Sequence, residues 1–490
     1  MRWLLVAEWV AVLGFVGSAA VSYVPKGSAL QPINVLALKP GPAEESWTGI
    51  FVGEAHIGYS VSRESALDDG GRLFEQRASF ALGAMGSTQQ VVTAGTAITD
   101  AAGRLVQFDF LLSAPVVLVG HGEVRPGGVH VELQQDGEES IIDVPISEPP
   151  SLSLTATSVI RGKQVKPGDT FQMPYFDPIS MSPSTMNITV EAPEMLANGE
   201  VAWWLRMNAG GVETRRLVDP HGATLREESA LGLRSIRMTK DEAMAVDAGE
   251  PPDLVALAKV PIAGFIDPAR PFGPLSLRVE GVPAAKFVED APLQHVENDT
   301  VTVTIPDVAT WPVLPVESAD PGDTEPTPSL PSTHPDIVAK AVQVVGDAAD
   351  RQEAVRRLHR FVYSYVAKVP TIGVPNGVEV LHSGKGDCNE HTALFVSLAR
   401  AAGIPARIAA GLVYSQRLDH AFYYHAWPEV RLGPGESWVP LDPTLDQFPA
   451  DATHLKLVTG DLDRQLEIMS VMGKIGLAVV PAPPAVPAGG

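Results

Sequence analysis

The chain has 490 residues, 45% hydrophobic and 19% charged, with a formal net charge of −22 and no lysine- or arginine-rich run. That length implies about three domains, and so negative a field would repel a phosphate backbone, which sets nucleic acid aside as a partner. Cys388 is the single cysteine, so no intramolecular disulfide can form, and the one thiol invites a question about reactivity.

The chain opens "MRWLLVAEWVAVLGFVGSAAVSYVPKG". From Trp3 to Val24 it is apolar except for Glu8, with Arg2 before the run and Lys26 after it. As a helix this stretch reaches about 33 Å, enough to cross a bilayer core. Gly17, Ser18, Ala19 and Ala20 also offer the small residues that signal peptidase needs. Residues 1–24 are therefore expected to be a signal peptide or a retained membrane anchor. Either would export the rest of the chain, to the periplasm or to the outer surface of the membrane.

From Trp47 to about Thr239 the texture is β, giving an expected β-rich domain over residues 47–240. "WTGIFVGEAHIGYSVSRES" has short alternating stretches around Gly53-Glu54, a hairpin signal. Asp68-Asp69-Gly70-Gly71 and Asp219-Pro220-His221-Gly222 punctuate later strands. "HVELQQ" and "ITVEAP" alternate with the period of two that half-buried strands show. Trp203 and Trp204 in "VAWWLRM" are expected to pack in the sheet.

Residues 250–316 read as a second, smaller β-rich domain, with "LSLRVEGV" and "TVTVTIPDV" as strands. "ESADPGDTEPTPSLPST", residues 317–333, is acidic and proline-rich, a linker or a strap laid over the surface. Residues 334–460 then turn helical before two further strands. In "DRQEAVRRLHRFVYSYVAKV", Ala354, Val355, Leu358, Phe361, Val362 and Tyr365 follow the spacing of a one-faced core helix. Residues 461–490 read as a last strand pair and a loose "PAPPAVPAGG" tail.

Cys388 lies in "GKGDCNEHTALFVSLARAAGIPARIAAGL". Asp387 and Glu390 form a D-x-x-E capping box, and Gly403 with Pro405 ends the helix, which places it over Cys388–Ala402. Leu394, Phe395, Leu398, Ala399 and Ala402 supply an apolar stripe. The thiol then sits on the first residue, where free N–H groups and the helix dipole favour a thiolate and offer donors to an oxyanion. Gly384 and Gly386 allow a sharp turn before it. A buried small hydrophobe is the competing reading of Cys388.

A catalytic thiol needs a base. His391 is near, three residues along the same helix, and otherwise reads as a polar residue on the helix surface. The stronger candidate lies in "AFYYHAWPEVRLGPGESWVPLDPT", two strands joined at "LGPGE". A turn near Gly433-Pro434 gives paired residues numbers summing to about 867, which sets His425 opposite Asp442 within a residue of register. That supplies a base and a group to orient it. Asp442 also suits a turn-capping role before Pro443.

"GDCNEHTALFVSLARAAGIPAR", "YHAWPEV" and "WVPLDPT" resemble the three signatures of the transglutaminase-like superfamily. The resemblance spans roughly residues 335–460, and "DQFPADATHLKLVTGD" resembles the continuation seen in exported bacterial members. It implies an α+β fold, with a papain-like transglutaminase core at the C-terminus preceded by antiparallel β-rich domains. It also implies Cys388 as nucleophile, His425 as general base and acid, and Asp442 as the residue orienting the imidazole. Pro428 departs from the aliphatic residue usual there; it removes a ladder donor, so the strand is expected to be an edge or to end early.

The expected function is a cell-envelope thiol enzyme that forms a thioester from an amide in a protein or peptide, an envelope polymer included. Hydrolysis is favoured over acyl transfer to an amine, and a non-catalytic binding or scaffold module is the rival class. No HExxH, CxxC or EF-hand pattern occurs, so no cofactor or metal is expected.

Overall fold

The computed structural model describes residues 33–480 apart from 85–86, 114–116, 136–137, 230–231, 248, 254–258, 267–273, 306, 318–322, 328, 370–374 and 434–437. The apolar segment over residues 1–24 and the tail after residue 480 lie outside the described residues. Among those described, no helix is long and apolar enough to cross a membrane. The chain divides into two compact units.

The first unit comprises Met1–Leu82, Thr88–Ala209 and Thr214–Pro251. It is built on a 14-stranded sheet. The strands from Glu44–Val52 to Glu138–Pro145 form one meander, and those from Thr170–Asp177 to Leu233–Met238 form another. The meanders join where Glu44–Val52 pairs antiparallel with Leu233–Met238. Local chemistry sets the turns. Val52 pairs with Ala55 across Gly53-Glu54, with Gly53 at φ 58°, a value that only glycine adopts freely. In the interior, Phe108 and Phe110 lie across from Gly122 and Gly120, and a Cβ on either glycine would sit 2.1 Å from the facing ring. The glycines are thus sites where an aromatic ring covers bare backbone.

The two tryptophans divide between faces, as strand alternation requires. Trp203 packs on the cluster of Ile188, Leu205 and Met207. Trp204 instead carries the guanidinium groups of Arg215 and Arg226 over its ring at 4.7 and 5.6 Å, and its indole N–H donates to Glu194.

The second unit comprises Gly83–Ser87, Gly210–Glu213 and Pro252–Gly490. Its longer helices are α1 (Pro335–Val345), α2 (Arg351–Tyr365), α3 (Gly377–Ser383) and α4 (Cys388–Ala401). Its main sheet has β1 (Ala406–Ser415), β2 (Ala421–Arg431), β3 (Trp438–Pro440) and β4 (His454–Thr459), in the order β3-β2-β1-β4. This is an α+β fold, with helices packed on an antiparallel sheet at its C-terminal end and antiparallel β structure before it.

Two expectations are corrected here. Residues 250–316 do not stand apart, and the strand pair expected after residue 460 is one strand. Gly476–Val480 inserts between Ile262–Ala263 and Leu275–Glu280, completing a five-stranded sheet with Thr300–Val303 and Gln294–Glu297. Gly476–Val480 is the strand that links Ile262–Ala263 to the other three, so the sheet needs both segments. Before that strand the chain makes helical turns at Leu462–Gln465 and Leu466–Ser470. Within residues 317–333, the described residues are held against the rest of the second unit. Leu330 is buried in the helical core, Arg351 donates to the carbonyls of Val316 and Glu317, and Thr327 and Ser329 donate to Asp461.

Helix α4 departs from its one-faced pattern. Every residue from Glu390 to Ala399 is buried. Helices α1, α2 and α3 pack on it, and so does β2. A helix wrapped on all sides has no polar face to spare.

Candidate active site

The start of α4 follows its capping chemistry. Asp387 accepts from the Asn389 N–H at 3.0 Å, and Glu390 accepts from the Asp387 N–H at 2.9 Å, closing the capping box. This fixes Cys388 as the first helical residue. The residue is half-buried. Burial of the thiol pushes its pKa well above the ordinary value, and the Asp387, Glu390 and Asp442 carboxylates push the same way, against a backbone hydrogen bond with Ala426. Burial and three carboxylates thus act against the thiolate that the helix end favours.

The bond to Ala426 places the thiol beside the residue that follows His425 on β2. One turn along α4, Thr392 Oγ1 donates to the Ala426 carbonyl at 3.1 Å, so the helix start is tied to this strand twice. Among the described residues, no hydrogen bond joins Sγ to the His425 ring.

His425 Nε2 lies 2.7 Å from Asp442 Oδ2. The register that brings them together differs from expectation. Glu429 pairs with Pro440 and Arg431 with Trp438, so the paired numbers sum to 869 and β3 ends before Asp442. A shift of two residues keeps every side chain on its face, which is why the contact survives. Pro428 is also resolved differently: β2 is an interior strand and runs on to Arg431. The Pro428 carbonyl accepts from the Leu441 N–H just past the end of β3, and the proline returns no N–H, so the ladder loses one bond there without the strand ending.

Asp442 is fully buried and uses its oxygens differently. Oδ1 accepts from the Thr444 and Leu445 N–H groups at 2.7 and 2.9 Å, capping the turn that Pro443 begins. Oδ2 faces His425 and, at 3.1 Å, Nε2 of His454. Burial would raise this carboxyl, yet the two imidazoles hold it well below the usual carboxylate range. On α2, buried His359 places Nε2 3.2 Å from the Asp442 carbonyl, and burial holds its pKa below the ordinary value, so a neutral ring donates there.

His391 is not on a helix surface. It is fully buried, with Nδ1 2.6 Å from the Asp387 carbonyl and no partner on Nε2 among the described residues. Burial lowers its pKa, so this ring is neutral and donates back to its own helix turn. The aromatic residues flanking His425 also separate. Trp427 is buried edge-on against His454 at 5.0 Å, Tyr424 packs into the apolar cluster, and the Tyr423 hydroxyl donates to the Leu418 carbonyl.

His359 and His454 escaped the sequence reading. His359 interrupts an otherwise apolar helical face, which was a usable signal. His454 had none, because only the pairing of β4 with β1 brings it to Asp442. Among the described residues, His425, Asp442 and His454 are the one group whose potential metal-ligating atoms lie within 4.8 Å of one another. Those atoms converge on a single oxygen that faces both imidazoles, so a cation would have to displace their protons.

Residues 338–443 match the family model of the transglutaminase-like superfamily, and this part of the chain is a transglutaminase-like core. Among solved structures, the chain is similar to a "putative cysteine protease" from Cytophaga hutchinsonii, with 17% identity, a TM-score of 0.30, and 42% of this chain and 81% of that one covered. It is also similar to a β-barrel-like protein of a domain of unknown function from Brucella abortus, with 11% identity, a TM-score of 0.31, and 40% and 96% covered. A "putative protease" from Parabacteroides distasonis is similar at 11% identity and a TM-score of 0.18, with 69% of each chain covered. No curated protein sequence matches the chain.

Proposed function

We propose that the second unit is a thiol amidase or peptidase in which Cys388 is the nucleophile, His425 the base and acid, and Asp442 the orienting carboxylate. The observation that carries this reading is the 2.7 Å contact of His425 Nε2 with buried Asp442 Oδ2. It leaves Nδ1 for the proton that moves during reaction. A thiol with a raised pKa needs that base at the moment of attack.

In the first step the Cys388 proton passes to His425 Nδ1 as Sγ bonds to the amide carbonyl carbon. The tetrahedral intermediate collapses, the C–N bond breaks, and the imidazolium protonates the leaving amine. In the second step His425 takes a proton from water, which attacks the thioester. The C–S bond breaks, the acid leaves, and the proton returns to the thiol. Asp387 occupies the Asn389 N–H and, in the capping box, that of Glu390, so the Cys388 N–H is the first-turn donor left to an oxyanion.

Water as the second nucleophile fits the aromatic residues of β2. Trp427 and Tyr424 are committed to packing, and Tyr423 alone remains to wall off an amine site. A competition assay tests this. With an accepted acyl-donor peptide and a millimolar primary amine, acid product is expected to exceed amide product. A dominant amine adduct would make cross-linking the function.

His425→Ala should cost far more turnover than His391→Ala. The latter should act on stability, by about 2–4 kcal/mol for a large buried side chain removed without full collapse. Steady-state kinetics and denaturant unfolding of both variants check this, and the reverse pattern would move the base to α4.

The N-terminal apolar segment supports export, with the protein held at the membrane or released to the periplasm and acting there on a protein, a peptide or an envelope polymer. N-terminal sequencing separates the two: a mature start at residue 20 or 21 excludes the anchor.

A further inference from the structure

His454 opens β4 and is 3% exposed. Its Nε2 lies 3.1 Å from Asp442 Oδ2. Its Nδ1 lies 3.2 Å from the Asp451 carbonyl and 3.4 Å from Asp451 Oδ1. Both ring nitrogens therefore face oxygen acceptors. A neutral imidazole carries one N–H, and only the cation carries two. Asp451 is itself held as an acceptor, by the Thr453 N–H at 2.9 Å and by Gln447 Nε2 at 2.9 Å.

We infer that His454 is a fixed imidazolium behind Asp442, a positioning residue that keeps this carboxylate ionised and aimed at His425 and that offsets its charge in the site. The inference rests on the proposed role of His425.

The charges around His454 support it from every side. The loop before β4 supplies Asp442 and Asp451. Strand β2 supplies His425, with ring centroids 6.0 Å apart, and the buried Trp427 edge. Further along the same sheet, Lys456 and Arg407 are neutralised by Glu429 and Glu289, with Lys456 Nζ 2.9 Å from Glu429 and 3.2 Å from Glu289, and Arg407 Nε 2.8 Å from Glu429. The nearest uncompensated demand is thus the pair of carboxylates on His454 itself. Burial pushes the His454 pKa down, but Asp442 and Asp451 hold it up to about 9.

The consequence for the site follows from signs. An uncompensated Asp442 carboxylate opposes loss of the Cys388 proton. The His454 cation offsets that charge. Two unit charges about 6 Å apart at an effective dielectric near 20 shift a titration by on the order of two pH units. Removing the cation should move the acid limb of activity upward by at least about one pH unit, a readout that a purely structural role would not shift.

Two measurements on the full chain test this. In histidine-labelled protein, the ring nitrogens of His454 should keep imidazolium shifts at pH 8, where an ordinary imidazole is neutral; the signal that moves in Asp451→Asn identifies them. The second is the rate of Cys388 alkylation by iodoacetamide against pH, in wild type and His454→Gln, whose acid limb is expected at higher pH. A neutral His454 at pH 8, or an unmoved limb in folded His454→Gln, overturns the inference. If His454→Gln does not fold, the wild-type titration decides. The outcomes separate the two ideas. An inert Cys388 with a charged His454 sinks the enzymatic reading and with it the positioning role, whereas a neutral His454 in an active enzyme sinks the inference alone.

Discussion

Cys388→Ala is expected to reduce amide turnover at least about 10⁴-fold below wild type, while the fold survives. The side chain removed is small, half-buried and at the first turn of α4. The hydrogen bonds that hold that turn belong to its neighbours: the Asp387–Glu390 capping box and the bond from Thr392 to the Ala426 carbonyl. None of these is lost with the sulfur. The covalent path, by contrast, has no substitute. The nearest hydroxyl on the helix, Thr392 Oγ1, is buried and already donating, so it cannot take over as nucleophile. Thermal unfolding within a few degrees of wild type, together with loss of acid product, is the expected pair of results. Turnover near the wild-type rate in the purified variant would end the assignment of Cys388.

Asp442→Asn is expected to damage both rate and stability. Loss of the ionised orienter should lower kcat by about 10³–10⁴-fold, since an amide holds the imidazole poorly and stabilises no imidazolium. The stability cost comes from His454, which would keep one carboxylate partner of two. Breaking a buried ion pair on one side costs about 3–5 kcal/mol.

The pH dependence carries a signature. Asp442 has a folded pKa below its unfolded one, so its contribution is present above the ordinary aspartate value of about 3.9 and is lost as pH falls through the folded value. His454 has a raised pKa, so its contribution is complete below about 6.5 and is lost as pH rises through about 9. Wild-type stability should therefore decline at both ends. In Asp442→Asn the alkaline decline should begin at lower pH, because His454 holds its proton less tightly. Denaturant unfolding from pH 5 to 10 measures this, and an alkaline limb identical to wild type would show that Asp442 does not carry the His454 charge.

What the sequence determined by itself was set by chemistry within a few residues. The start of α4 rests on Asp387 and Glu390, and its end on Gly403, at φ 71°, with Pro405 beyond. The two-residue turn at Gly53-Glu54 depends on a glycine that tolerates positive φ. Strand alternation put His425 and Asp442 on one face, and that survived a register displaced by two because the strand period is two. The tertiary structure alone decided whatever depends on distant partners or on burial. Gly476–Val480 joins strands about 200 residues earlier, and no local pattern announces such a pairing. Helix α4 reads as amphipathic but is enclosed, so His391 is interior. The thiol sits at a helix end that should favour its anion, yet burial and three carboxylates act against it. His454 gains its place from the β1–β4 pairing and its charge from two carboxylates. Propensity and periodicity act over one or two turns of chain, whereas dielectric environment and charge pairing are properties of the packed interior, and they exist only once the chain has closed around the site.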